Sequence, residues 1–134
     1  MTQNDWDLYS SYIYCLLDCA NDPTKLPPKY RNGMPHSENQ MSLFVGDCGI
    51  LSRINTTLAI TNTALAKAGA DFTDVNDLAA RIASAQPPSQ ADINSMVDKL
   101  NAVNQYIQND QKAAAIVKMI GSAMAVAGSQ LKKK

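Results

Sequence analysis

Glutamate is nearly absent from this chain: Glu38 is the only one. Charged residues of every kind make up 18% of the sequence, below the roughly 25% common in globular domains. Helical proteins usually coat their solvent side with Glu–Lys pairs one turn apart. Here Asn, Gln, Ser, Thr and Asp stand in for them, so that coat is thin. Two readings follow: the helices have little surface support, or a partner covers some of their outer faces.

Other absences narrow the function. Lys+Arg and Asp+Glu number 12 each, so no global field draws the chain to nucleic acid or an anionic membrane. There is one histidine, His36, no GxSxG elbow, and no cysteine with a basic neighbour in sequence, which leaves nucleophilic catalysis poorly supplied. Phosphate-loop and dinucleotide fingerprints are missing. The acidic run from Asp71 to Asp77 lacks the central glycine and terminal glutamate of a calcium loop, and helix capping accounts for it better. No apolar run reaches the roughly 18–20 residues of a membrane span. The opening MTQNDWD carries acids where a secretion signal has bases. A cytoplasmic location is the expectation, with export lacking a signal left open.

The three cysteines, Cys15, Cys19 and Cys48, are too few and too odd in number for a disulfide framework. Cys15 and Cys19 lie one turn apart and, with His36 and Cys48, could form a Cys₃His zinc set. They also continue an apolar helical stripe, and the expectation is three reduced, metal-free cysteines in the core. No catalytic, cofactor or metal residue is assigned.

What is present is helical periodicity, within a chain that is 46% hydrophobic. Trp6, Tyr9, Ile13, Leu16 and Ala20 form one stripe over residues 5–19, and Leu8, Tyr12, Cys15 and Cys19 form a second beside it. Two adjacent stripes predict a helix buried on more than half its circumference. Ser37-Glu38-Asn39-Gln40 is a capping-box pattern opening a second helix toward Ala68, with a kink or break expected at Gly46 and Gly49. Thr73 begins a short third helix ending near Ala85. Ser89 caps a fourth, whose seam is Ile93, Met96, Val97, Leu100, Val103 and Ile107. Asn109 or Asp110 caps a fifth over 112–127, or the fourth and fifth form one bent rod; the helix stops before Gly128 and is followed by a basic tail over 129–134. The sum is an all-α, antiparallel bundle of four to five helices in a single domain, 1–134.

Between the first two helices, residues 21–36 hold four prolines and Gly33, an α-helix-incompatible loop long enough to suggest a role. Within it, Tyr30 and Arg31 are the expected partner-binding anchors, with Lys25 and Lys29 at the rim. Such a loop is expected to add little to folding. Trp6 and Tyr9, on the outer stripe of the first helix, are the second expected contact surface. The function these features favour is a non-enzymatic protein-binding bundle: an inhibitor, an immunity-type antidote or an assembly adaptor. Its partner is expected to be another protein or a second copy of the chain, with no nucleic acid and no membrane. The alternative is a membrane-active protein using the apolar helix 112–127, and behind it a Cys/His metal protein.

Overall fold

The structure, a computed structural model, describes residues 3–21, 23–34, 37–48, 80, 82, 88–109, 111, 113 and 115–133. These residues form an all-α bundle of four helices with no strand among them: α1 (Gln3–Asn21), α2 (Glu38–Cys48), α3 (Gln90–Asn109) and α4 (Ala115–Lys133). Two 3₁₀ turns, Pro23–Lys25 and Pro28–Tyr30, lie between α1 and α2. The expected extension of the second helix over 49–68 lies outside the described residues. So does most of the expected third helix; Ala80 and Ile82 are helical, and Ile82 is buried.

α1 is the axis of the core. Every residue from Tyr9 to Leu17 is buried, so the helix is covered all round at its middle. Its two apolar stripes account for most of that, but Ser10 and Ser11 are buried too. The Ser10 hydroxyl donates to the Asp7 carbonyl oxygen at 3.4 Å, satisfying itself within the helix. Tyr12 lies beneath the surface, and burial pushes its hydroxyl well above the ordinary tyrosine range.

Both serine caps form as the pattern requires. The Gln40 N–H donates to Ser37 Oγ and the Asp92 N–H to Ser89 Oγ, each at 3.2 Å. α2 runs unbroken through Gly46 to Cys48, so the expected break does not fall at Gly46, and Gly49 lies outside the described residues. On α3 all six seam residues, Ile93 to Ile107, are buried.

α3 and α4 are separate helices joined through residues 110–114, and their pairing is the most extensive in the fold. It is antiparallel. Gly121 lies opposite Asn104 and Ile107, Gly128 opposite Val97 and Leu100, and Lys132 Nζ is 3.5 Å from Asp98 Oδ1. Gly128 is not the expected helix stop: α4 continues to Lys133, so most of the basic tail is helical. A Cβ there would sit 3.3 Å from Val97 Cγ1 and 3.4 Å from Leu100 Cδ1, which makes Gly128 a point of close approach. Two turns earlier, a Cβ on Gly121 would meet Asn104 Oδ1 at 2.8 Å. Small residues on this stripe are what let the axes draw together. The apolar face of α4, including Val117, Ile120, Met124 and Leu131, is buried against α3 and α1.

Candidate protein-contact surface

The proline-rich segment is a strap folded onto the bundle. Pro28 opens the second 3₁₀ turn, where its fixed φ suits a helix start and its missing N–H costs nothing. The Tyr30 N–H donates to the Pro27 carbonyl at 3.0 Å and the Arg31 N–H to the Pro28 carbonyl at 3.2 Å. Leu26 on one side of the turn and Met34 on the other are buried in the core. The expectation that this loop adds little to folding is therefore corrected: apolar anchors bracket it at both ends.

Tyr30 is the third anchor. Its ring meets Phe44 of α2 edge-on, with centroids 4.9 Å apart, and Phe44 meets Tyr12 of α1 edge-on at 5.5 Å. Phe44 is thus held between the strap and α1, in the geometry aromatic pairs prefer. The Tyr30 hydroxyl donates to Asp47 Oδ2 at 2.8 Å, and Lys29 Nζ lies 2.7 Å from the same oxygen. Lys29 also stands over the Tyr30 ring, 5.2 Å from its centroid. The hydrogen bond from Lys29, and then that from Tyr30, holds the Asp47 carboxyl below its ordinary range. The same bond raises Lys29. Burial, followed by the bond to Asp47, raises Tyr30.

The two helices that flank the strap are stapled to each other. Cys15 of α1 and Cys48 at the end of α2 form a disulfide, with Cα atoms 6.3 Å apart, within the range such bonds require. This corrects the expectation of three reduced cysteines; Cys19 alone keeps its thiol, buried. It also takes two sulfurs from the Cys₃His set, whose remaining histidine, His36, lies outside the described residues. The acidic run 71–77 lies outside them as well.

The five expected contact residues therefore separate. Trp6 and Tyr9 are each 1% exposed, so neither offers a surface, and the outer stripe of α1 is an inner one. The Tyr9 hydroxyl donates to Glu38 Oε1 at 2.9 Å, which puts the chain's one glutamate to work joining α1 to α2. Among the described residues Trp6 Nε1 is a buried side-chain nitrogen without a hydrogen-bond partner. Lys29 and Tyr30 are engaged with Asp47 and Phe44 yet border a cleft, and Arg31 is exposed beside them. That cleft, about 240 Å³, is lined by Lys29, Tyr30, Gly33, Met34, Gln40 and Leu43.

Leu43 was not among the expected residues. It is 67% exposed on α2, one position before buried Phe44. Its only signal in the sequence is that it falls off the Met41–Phe44 face of a well-capped helix.

No protein-family model matches the chain, and comparisons with curated proteins and with solved structures likewise return no match. Among the described residues no helix is long and apolar enough to cross a membrane.

Proposed function

We propose that this chain is a non-enzymatic protein-binding bundle whose contact surface is the cleft between the strap and α2. The observation that carries the reading is Leu43, a large apolar side chain left 67% exposed at the rim of a walled cleft. Isolated exposed leucines are ordinary. This one sits beside the Tyr30 ring and the Met34 thioether, with exposed Arg31 nearby, and aromatic, Met and Arg side chains are enriched at interfaces. The strap is braced by an edge-on aromatic pair and two polar bonds to Asp47, on helices joined by a disulfide, so little ordering entropy is lost on binding. Lys29 is already neutralised by Asp47, while Arg31, next to Tyr30 in the chain, is exposed.

The disulfide supports an oxidising compartment over the cytoplasm expected from composition, because structural disulfides persist where thiols are not kept reduced. Membrane activity through the last helix has less support, since the apolar face of α4 is occupied by α1 and α3.

The test is a photo-crosslinking residue placed at position 43 and, as a control, at exposed Asn101 on α3, in cells of the native host. An adduct with a protein at 43 and none at 101 is the expected result; equal labelling, or none at 43, refutes the cleft as the interface. With the partner in hand, Leu43→Asp with Arg31→Ala should weaken binding by about 2 kcal/mol, roughly 30-fold. Sedimentation of the free chain separates a second copy from a different protein.

A further inference from the structure

A second cavity, about 350 Å³, is lined by Asp18, Cys19, Lys25, Pro27, Asp47 and Cys48. It brings the remaining thiol and one sulfur-bearing end of the disulfide to the same space. Cys15 and Cys19 are four residues apart on α1, so their side chains project from one face, one turn above the other. Cys48 is the last described residue of α2. Cys48 is thus bonded to one of the two stacked cysteines and borders a cavity with the other.

We propose that the three cysteines are an exchange device in which Cys48 can be bonded to either Cys15 or Cys19. The Cys19 thiolate attacks Cys48 Sγ, the Cys48–Cys15 bond breaks as the Cys48–Cys19 bond forms, and Cys15 leaves as a thiolate. The proton lost by Cys19 is taken up by Cys15. Each state holds one disulfide and one thiol, so no oxidant or reductant is consumed. The two attachment points are separated by one helical turn, about 6 Å along the axis of α1. Moving between them pulls the end of α2, and with it Asp47, whose carboxylate holds Lys29 and Tyr30. The strap then has two settings selected by the pairing. The device does not require the cleft to bind anything.

The test is disulfide mapping on the full chain. The protein is held at pH 8.5 without added thiol, quenched in acid and digested with pepsin, which works where exchange is frozen and can cut at Leu16 and Leu17, between Cys15 and Cys19. The expected result is Cys19–Cys48 peptides alongside Cys15–Cys48 peptides, in a ratio reached faster at pH 8.5 than at pH 7, because exchange proceeds through the thiolate. Only Cys15–Cys48 peptides, at every pH, overturns the proposal. Cys15→Ser supplies an independent arm: refolded in a glutathione buffer it should form Cys19–Cys48, whereas a folded variant that keeps both thiols contradicts the device. Should that variant fail to fold, the mapping of the unaltered chain still decides.

Discussion

The two halves of this bundle are held together by different means. In α1, the strap and α2, large side chains and covalent chemistry dominate: Tyr12, Phe44 and Tyr30 meet edge to face in series, and Cys15–Cys48 closes the segment. In the α3–α4 hairpin the contacts come from closeness. Gly121 and Gly128 admit the side chains of α3, and Gln108 Nε2 donates to the Lys118 carbonyl and Ser122 Oγ at 3.0 Å each. A strap rich in proline makes few backbone hydrogen bonds of its own, so it needs outside restraints. Two helices of about twenty residues do not, since each carries its own ladder and a continuous apolar seam.

The largest expected effect tests the staple. Closing a loop with a sequence separation of 33 removes unfolded-state entropy worth about 3–4 kcal/mol, so Cys48→Ser should lower stability by that order. Chemical denaturation of the two proteins measures it, and a loss under about 1 kcal/mol would mean that the non-covalent anchors hold the segment without the disulfide.

Next comes the hairpin. Gly128→Leu drives a side chain into Val97 and Leu100 and should cost about 1–3 kcal/mol or more. Gly128→Ala should be nearly neutral, because a gain of about 1 kcal/mol in helix propensity offsets a contact that is only slightly tight. Thermal melts of both variants check the pair; an equally mild effect from leucine would show that the helices are farther apart than described.

The same comparison shows what the sequence makes legible. The α3 seam and both serine caps are local signals, set by spacing and by the residue before the first turn, and they hold. The disulfide is not local. Nothing at Cys15 or Cys48 marks the other, because only the packing of α2 on α1 brings them together. Gly128 carries an ambiguous signal, since a glycine that ends one helix lets another approach closely. Periodicity places Trp6 and Tyr9 on a stripe but does not say how many neighbours cover it, and both prove to be core. Proline content tells that residues 21–36 leave the α-helix; it does not tell where Tyr30 folds back.

A smaller effect separates two strap neighbours. Tyr30→Ala loses an edge-to-face pair worth roughly 0.5–1.5 kcal/mol, with some apolar burial besides. Arg31→Ala, on the exposed side, should stay within about 0.5 kcal/mol. Equal losses in denaturant titrations would remove the distinction between anchor and outward charge.

The smallest effect is electrostatic. Asp47 is held below its ordinary range in the folded chain, so its contribution is present above the unfolded value, near pH 4, and is lost as pH falls through the folded one. Lys29 is raised, so its contribution is present below the unfolded value and is lost only as pH climbs through the folded one. Both side chains are solvent-accessible, which keeps the pair weak. Stability followed from pH 6 to pH 3 should fall slightly more for the natural chain than for Asp47→Asn; parallel curves would show that the pair adds nothing.

Amide hydrogen exchange on the intact chain, before and after reduction of Cys15–Cys48, addresses the division between the halves directly. That division predicts that reduction strips protection from the strap and α2 while the α3–α4 amides keep theirs. Uniform loss across all four helices would contradict it by showing one cooperative unit, and unchanged protection in α2 would contradict it by showing that the staple restrains nothing.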